Sequence, residues 1–259
     1  MKKPKDLPSP NSYLSGAFHA LWAQLFGRGR GYRGTTVFNL LKMMYGSEGR
    51  FYHNMNHIYA GLQEIDANEI KLVRDYGIDL NLLRMAWWFH DVVYDVWRKD
   101  NEYRSAVFAK HILQANDLQG HCGDGVSFLS RIMTIICATN YTKIFDNGIF
   151  ECCVIRDIDL LSLAAEPKQF DINTENIAKE FVGVAHITQA DFDLGRHAFL
   201  TDLYKKKHIY ETGWYQRMYD ERAHKNIKRA LKKIELARSV DADKYVVDRN
   251  GHLRRKKAK

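Results

Sequence analysis

From residue 35 onward the apolar residues recur with a helical period almost without interruption, and this feature restricts the fold more than any other. Val37, Phe38, Leu40, Leu41 and Met44 share one face behind Thr35 and Thr36, which offer an N-cap. A second helix is predicted from near Asn54 to Ile65. Asp79 is placed to cap a third, in which Leu80, Leu82, Leu83, Ala86, Trp87 and Phe89 pack. Further helices are predicted from Asp100 or Asn101 through Leu113, over Asp124–Thr139 and over Phe150–Leu163. Pro167 suits a first helical turn, and amphipathic stretches follow at Asp191–Tyr204 and Thr212–Ala237. Strand-like alternation is nearly absent. Asn147-Gly148, a pair common in hairpins, stands between two helical segments. No internal repeat is visible. The expected fold class is all-α.

The expected organisation is an N-terminal extension over 1–35, a helical domain over 36–238 and a basic tail over 239–259. The extension holds a short helical stretch near Phe18–Phe26. It then runs through Gly27-Arg28-Gly29-Arg30-Gly31-Tyr32-Arg33-Gly34, a flexible connector that lacks the spacing of a phosphate-binding loop. The tail has no periodicity and is expected to be disordered. Charge divides along the chain. The net charge is +8, yet from Arg217 onward there are 15 Lys+Arg against 6 Asp+Glu, which leaves the preceding 216 residues at −1. A basic end of this kind either meets a polyanion such as nucleic acid or solvates a helix face, and solvation is the simpler expectation. No apolar run is long enough for a membrane span, and no signal-peptide core follows Met1, so the expected location is the cytoplasm. Cys122, Cys137, Cys152 and Cys153 have no CxxC spacing and are expected to be reduced thiols.

Three segments carry unusual chemistry. The first is Tyr52-His53-Asn54-Met55-Asn56-His57-Ile58, where His53 and His57 share a face if both are helical. The second, Trp87-Trp88-Phe89-His90-Asp91-Val92-Val93-Tyr94-Asp95, sets a His-Asp pair in an apolar helix. The third, Arg156-Asp157-Ile158-Asp159-Leu160, sets two acids in another. A carboxylate in a buried helix is costly unless it is paired or binds a cation. Adjacent residues on a helix point about 100° apart, so His90 and Asp91 can converge only near a helix end or bend. One divalent ion bound by imidazoles and carboxylates would account for all three segments together. Taken singly, each has a plainer explanation: a capping feature, a hydrogen-bonded core pair, or an acid paired with Arg156.

His57, then His90-Asp91, then a distant Asp follows the H…HD…D order of the HD superfamily of metal-dependent phosphohydrolases, which the chain resembles. The strings Tyr-His-Asn-x-x-His-Ile, Trp-Phe-His-Asp-x-Val-Tyr-Asp, Asp-Asn-Glu-x-x-Ser-Ala and Asp-x-Asp-Leu are similar to a bacterial branch of predicted HD-type phosphohydrolases. Arg196, Ile209-Tyr210, Arg222 and Asn226 extend the similarity, which spans about residues 36–232. The first string is also similar to a motif of cyclic-nucleotide phosphodiesterases.

The resemblance implies an HD-domain helical bundle holding one divalent ion: Mn, Mg, Fe, Co, Ni or Zn. His57, His90 and Asp91 match ligand positions, and Asp159 matches the last, with Asp157 as its alternative. Asp91 is also implied as the acceptor of a proton from the attacking water, and His53 as the acid toward the leaving oxygen. Glu102, from the Asn-Glu string, is implied to hold a metal-bound water. Asn101 and Ser105 share that segment, and Lys143, Arg196 and Arg222 are the cations expected to meet a phosphate. Trp87, Trp88, Tyr52 and Tyr94 suit either a base or the core. Related proteins often carry a further His after a Thr matching Thr139; Cys137-Ala138-Thr139-Asn140-Tyr141-Thr142 has none, which favours one ion over a di-iron oxygenase site. The expected activity is phosphomonoester or phosphodiester hydrolysis of a small molecule, a nucleotide among the candidates. A non-catalytic module that engages nucleic acid through the basic C-terminus is the alternative.

Overall fold

The computed structural model describes residues 9–141, 148–239 and 244–256. Its architecture is all-α, with eleven α-helices and a single two-stranded hairpin among the described residues. The chain divides into two compact units, Met1–Ile155 and Arg156–Lys259. The division falls inside the span 36–238 that was expected to be one domain.

In the first unit α1 (Pro10–Phe26) begins with Ser9 accepting the Ser12 N–H and proline in its first turn. Phe18, Leu21 and Trp22 are buried, and α1 packs on α2 (Gly31–Tyr45) and α5 (Leu80–Phe89). Residues from Pro10 onward therefore belong to the core and are not an extension. Helix α2 also starts earlier than expected. Thr35 and Thr36 lie inside it, and their hydroxyls donate back to the Gly31 and Tyr32 carbonyls, at 3.2 Å each, instead of capping. The Gly/Arg stretch is accordingly a short 3₁₀ turn, Arg28–Arg30, followed by helix.

Helix α3 (Met55–Ala67) is capped by Asn54, whose side chain accepts the Asn56 N–H at 2.9 Å. The short helix α4 (Glu69–Tyr76) was not expected; it ends on Gly77 in the left-handed conformation, φ 65°. Asp79 caps α5 by accepting the Asn81 and Leu82 N–H groups. In α5, Leu82, Leu83, Met85, Ala86, Trp87, Trp88 and Phe89 are all buried, and the helix packs against α1, α3, α4, α6 (Asn101–Ala115) and α7 (Phe128–Ala138). It is the central rod of this unit, and it ends at His90. Helix α7 starts four residues later than Asp124, because Gly125 has φ 80° and breaks the helical path; Ser127 supplies the cap.

Helix α8 (Phe150–Asp159) begins in the first unit and ends in the second. A 3₁₀ turn (Leu160–Ala164), α9 (Pro167–Ala178), a wide π turn (Lys179–Val184), α10 (Gln189–Tyr204) and α11 (Gly213–Ser239) complete the second unit. Its end differs from the disordered tail expected over 239–259. Strands β1 (Tyr245–Val247) and β2 (Leu253–Arg255) pair antiparallel. The hairpin is fastened to α10: the Leu253 N–H donates to His197 Nδ1 at 3.2 Å, His252 pairs with Asp202 at 2.7 Å and Arg255 with Asp191 at 3.0 Å. Buried His197 thus has a structural role, its other nitrogen meeting Glu235 at 3.1 Å. All four cysteines are free thiols. No described helix is long and apolar enough to cross a membrane.

Candidate metal centre

His90 caps the C-terminal end of α5 and is fully buried. Its Nδ1 lies 2.8 Å from the Trp87 carbonyl, and its ring stacks on the Trp87 indole at 4.2 Å. A carbonyl can only accept, so Nδ1 carries the proton and Nε2 presents a lone pair. That lone pair faces His57 Nε2 at 3.1 Å and Asp91 Oδ2 at 3.1 Å, and Asp91 Oδ2 lies 3.7 Å from His57 Nε2. Electron-rich atoms this close require a proton or a cation among them. The helix end provides the bend that lets two consecutive residues aim at one point.

Ligand atoms of His57, His90, Asp91 and Asp159 all lie within 4.8 Å of one another, a group that could hold a metal ion. Asp159 reaches it as the last residue of α8. The donor set fits a first-row divalent ion. Two donors each ~2.1 Å from one ion, at right angles, stand about 3 Å apart, close to the two 3.1 Å separations observed.

Asp157, the alternative ligand, is committed elsewhere. It is 1% exposed, and its two oxygens accept the Glu211 N–H at 2.6 Å and the Thr212 N–H at 2.9 Å. It therefore ties down the chain that enters α11. Burial pushes its carboxyl up to about 7, against the opposing pull of those hydrogen bonds. Arg156 pairs with Glu211 at 2.6 Å, so neither acid of this segment is needed to neutralise it.

His53 lies outside the helix, which starts where expected, just after Asn54. Asn54 is extended, with φ −132° and ψ −171°, and the helix begins after it. The preceding turn nevertheless brings the His53 ring to 6.0 Å from the His57 ring, where it stacks on Tyr94 at 4.1 Å. Trp87 and Trp88 are core residues, 1% and 0% exposed. Neither offers a face to a base.

The Asp-Asn-Glu segment supports the loop that follows Asp91. Asn101, expected to touch substrate, instead accepts the Asp95 N–H at 3.0 Å and donates to the Asp95 carbonyl at 2.8 Å. Ser105 bonds both the N–H and the carbonyl of Val93. Glu102 accepts from Asn140 at 2.9 Å. Arg222 does not stand ready for a phosphate: it pairs with Glu166 at 2.7 Å on an exposed surface. Arg196 lines a cavity of the second unit beside Phe192. Lys143 lies outside the described residues. Tyr210 and Asn226, from the later string, both hold the 160–165 turn: the Tyr210 hydroxyl donates to the Leu160 carbonyl, and the Asn226 amide donates to the Leu163 and Ala165 carbonyls.

Two residues of the site gave no signal in sequence. Arg50 donates to the backbone carbonyls of His53, Asp91 and Val92, at 3.1, 2.6 and 2.8 Å, with the Tyr45 and Tyr94 rings nearby. One guanidinium thus ties the His53 turn to the His-Asp turn. Gly61 makes room for Trp87: a Cβ there would lie 2.1 Å from the indole. An isolated Arg in a loop and a Gly inside a helix carry no motif, and only the contacts reveal their use. The chain matches no family model, no curated protein and no solved structure.

Proposed function

We propose that this protein is a metal-dependent phosphohydrolase of the HD type, acting on a phosphoester of a small molecule such as a nucleotide. The observation that carries the reading is the convergence of two imidazoles and two carboxylates, in H…HD…D order, within 4.8 Å. His57, His90, Asp91 and Asp159 would hold the ion, and Mn, Mg, Fe, Co, Ni and Zn all suit such a donor set. When bound, a divalent ion lowers the pKa of a coordinated water toward neutrality and offsets charge on the phosphoryl group.

The residues around it then divide the work. Asp91, 13% exposed at its side chain, takes the proton of the attacking water. His53 delivers a proton to the leaving oxygen, its ring plane set by the stack on Tyr94. His90 is kept in one tautomer by the Trp87 carbonyl, which raises its strength as a donor. Glu102, positioned by Asn140, orients water. Arg50, Asn101 and Ser105 hold the backbone from Asp91 to Asp95 and so limit drift of the donor set. The basic end has less to offer a polyanion than its charge suggested, since Arg254 and Arg255 pair with Asp248 and Asp191.

Metal analysis of the purified protein, joined to a screen of nucleoside monophosphates, cyclic nucleotides and other phosphoesters with each of the six metals, tests the proposal. Turnover should appear with at least one metal and vanish in Asp91→Ala together with the bound ion. Absence of turnover across the screen would refute the enzymatic claim. Activity retained in Asp91→Ala would refute the ligand assignment.

A further inference from the structure

We propose that the second unit binds single-stranded nucleic acid in a basic groove along α11, independently of the metal centre. The groove is open, holds about 570 Å³ and is lined by the end of α10, the loop that follows it and the first half of α11. Its walls are fixed in advance. The His224 ring lies between two carbonyls, 2.9 Å from that of Asp220 and 3.2 Å from that of Lys206, and so holds the loop beside the helix. Asp220 holds the loop a second time: its carboxylate accepts the Ile209 N–H at 2.9 Å and the Tyr210 N–H at 3.3 Å, and it meets His208 Nδ1 at 2.7 Å.

The charge of the groove is what remains after internal pairing. Asp220 is spent on these bonds, and Glu221 meets Lys225 at 2.5 Å. Lys207, Arg217 and Lys228 line the groove, are exposed, and have no side-chain hydrogen bond or ion pair among the described residues. Exposed Lys232 extends the row by one turn. At about 100° and 1.5 Å per residue, Arg217, Lys228 and Lys232 fall within about 60° of one another around α11 and span about 22 Å of its length. Elsewhere on this helix the fold supplies acids for the arginines: Arg222 meets Glu166 and Arg229 meets Asp171, at 2.7 Å each, and Arg238 meets Asp193 at 3.1 Å. The unmatched cations are thus gathered on one face, where a polyanion meets four of them, Lys207 included. Tyr204 selects among polyanions. It lines the groove, is 37% exposed, and its ring stands 5.8 Å from that of His224. An exposed aromatic ring beside a row of cations lets unpaired bases stack while the cations follow the phosphates. A duplex keeps its base faces covered, and a lipid headgroup layer has no flat ring to offer.

Fluorescence anisotropy on the full chain tests this with labelled oligothymidylate and oligouridylate of twelve nucleotides, a duplex of twelve base pairs, and inorganic polyphosphate as competitor. At least one of the single strands should bind with Kd of roughly 1–100 µM at physiological salt, the usual range of sequence-independent binding. Four phosphate contacts predict that log K falls against log salt with a slope of about −3, at about −0.7 per contact. The duplex should bind at least fivefold more weakly than the better single strand. Lys207→Glu combined with Lys228→Glu should weaken binding at least tenfold and reduce the slope by about 1.4, whereas Lys233→Gln, about 140° round the helix from Lys228, should change affinity less than twofold. Tyr204→Leu should weaken the single strand about fivefold and leave polyphosphate unchanged, because polyphosphate has no base to stack. Unchanged circular dichroism is required of each variant, and the charge reversals carry the test if Tyr204→Leu misfolds. No binding of either single strand, equal or tighter binding of the duplex, unchanged affinity in the charge-reversed variant, or binding of phosphatidylserine vesicles in place of the oligonucleotides would overturn the proposal.

Discussion

Replacing Gly61 by alanine should destabilise this protein, although the same change in most helices stabilises it. Gly→Ala inside a helix ordinarily gains about 0.5–1 kcal/mol, because glycine loses more backbone freedom on folding. Here the added Cβ would lie 2.1 Å from two carbons of the Trp87 ring and 2.5 Å from its nitrogen. Carbon atoms at rest stand about 3.5–4.0 Å apart, so the indole must retreat by roughly 1.5 Å. It is 1% exposed and packed on all sides, and forced repacking of that kind costs about 1–3 kcal/mol. Retreat from α3 also stretches the 2.9 Å bond from Trp87 Nε1 to the Ile58 carbonyl, and orphaning that buried pair costs about 1–3 kcal/mol more. The net expectation is a loss of about 1–5 kcal/mol after the helix-propensity gain. At ~2–4 °C per kcal/mol for a chain of this size, this lowers Tm by up to about 20 °C. Because Trp87 stacks on His90, the variant should also bind metal more weakly. Differential scanning calorimetry and metal titration measure both effects. Adding Trp87→Phe, which shortens the offending ring, should cost less in the Gly61→Ala background than in the wild type. A Gly61→Ala protein as stable as the parent, or more so, would refute the packing argument.

The two acids of α8 should separate cleanly. Asp157→Ala leaves the part-buried Glu211 N–H and the buried Thr212 N–H without their acceptor and should cost about 2–5 kcal/mol, whereas Asp159→Ala should remove metal affinity; metal affinity kept in Asp159→Ala and lost in Asp157→Ala would show that the ligand is Asp157. Arg50→Met orphans three carbonyl acceptors and should destabilise the first unit by about 2–4 kcal/mol, with a loss of metal affinity read by the same titration. For the hairpin, the Asp248 carboxyl is held below its ordinary 3.8 by the His252 N–H first, then by Arg254 and the Asn250 N–H. A depressed acid stabilises the fold above its unfolded value and loses that contribution as pH falls through the folded one. Amide-exchange protection across Tyr245–Arg255 should therefore hold near neutrality and fall below about pH 4, while Asp248→Asn should show little of this acid dependence.

The helical period, the caps at Asn54 and Asp79 and the buried run in α5 are local properties. Each depends on residues within about four positions, which is why they were legible in the linear chain. The donor types were legible for the same reason: a His-Asp pair at the end of an apolar helix is anomalous wherever that helix lies. Other choices belonged to the fold. Asp157 and Asp159 are indistinguishable by spacing, and only the return of the chain at Glu211 and Thr212 assigns one of them to the entry of α11. Asn101 read as a ligand-facing amide until the loop at Asp95 claimed both of its ends. The tail read as disordered because its anchors, Asp191, His197 and Asp202, lie some fifty to sixty residues earlier in sequence. The sequence by itself determined an all-α chain and the residue types able to hold a divalent ion. Tertiary structure alone decided which of those residues converge, because convergence depends on contacts between distant segments, and no local period records them.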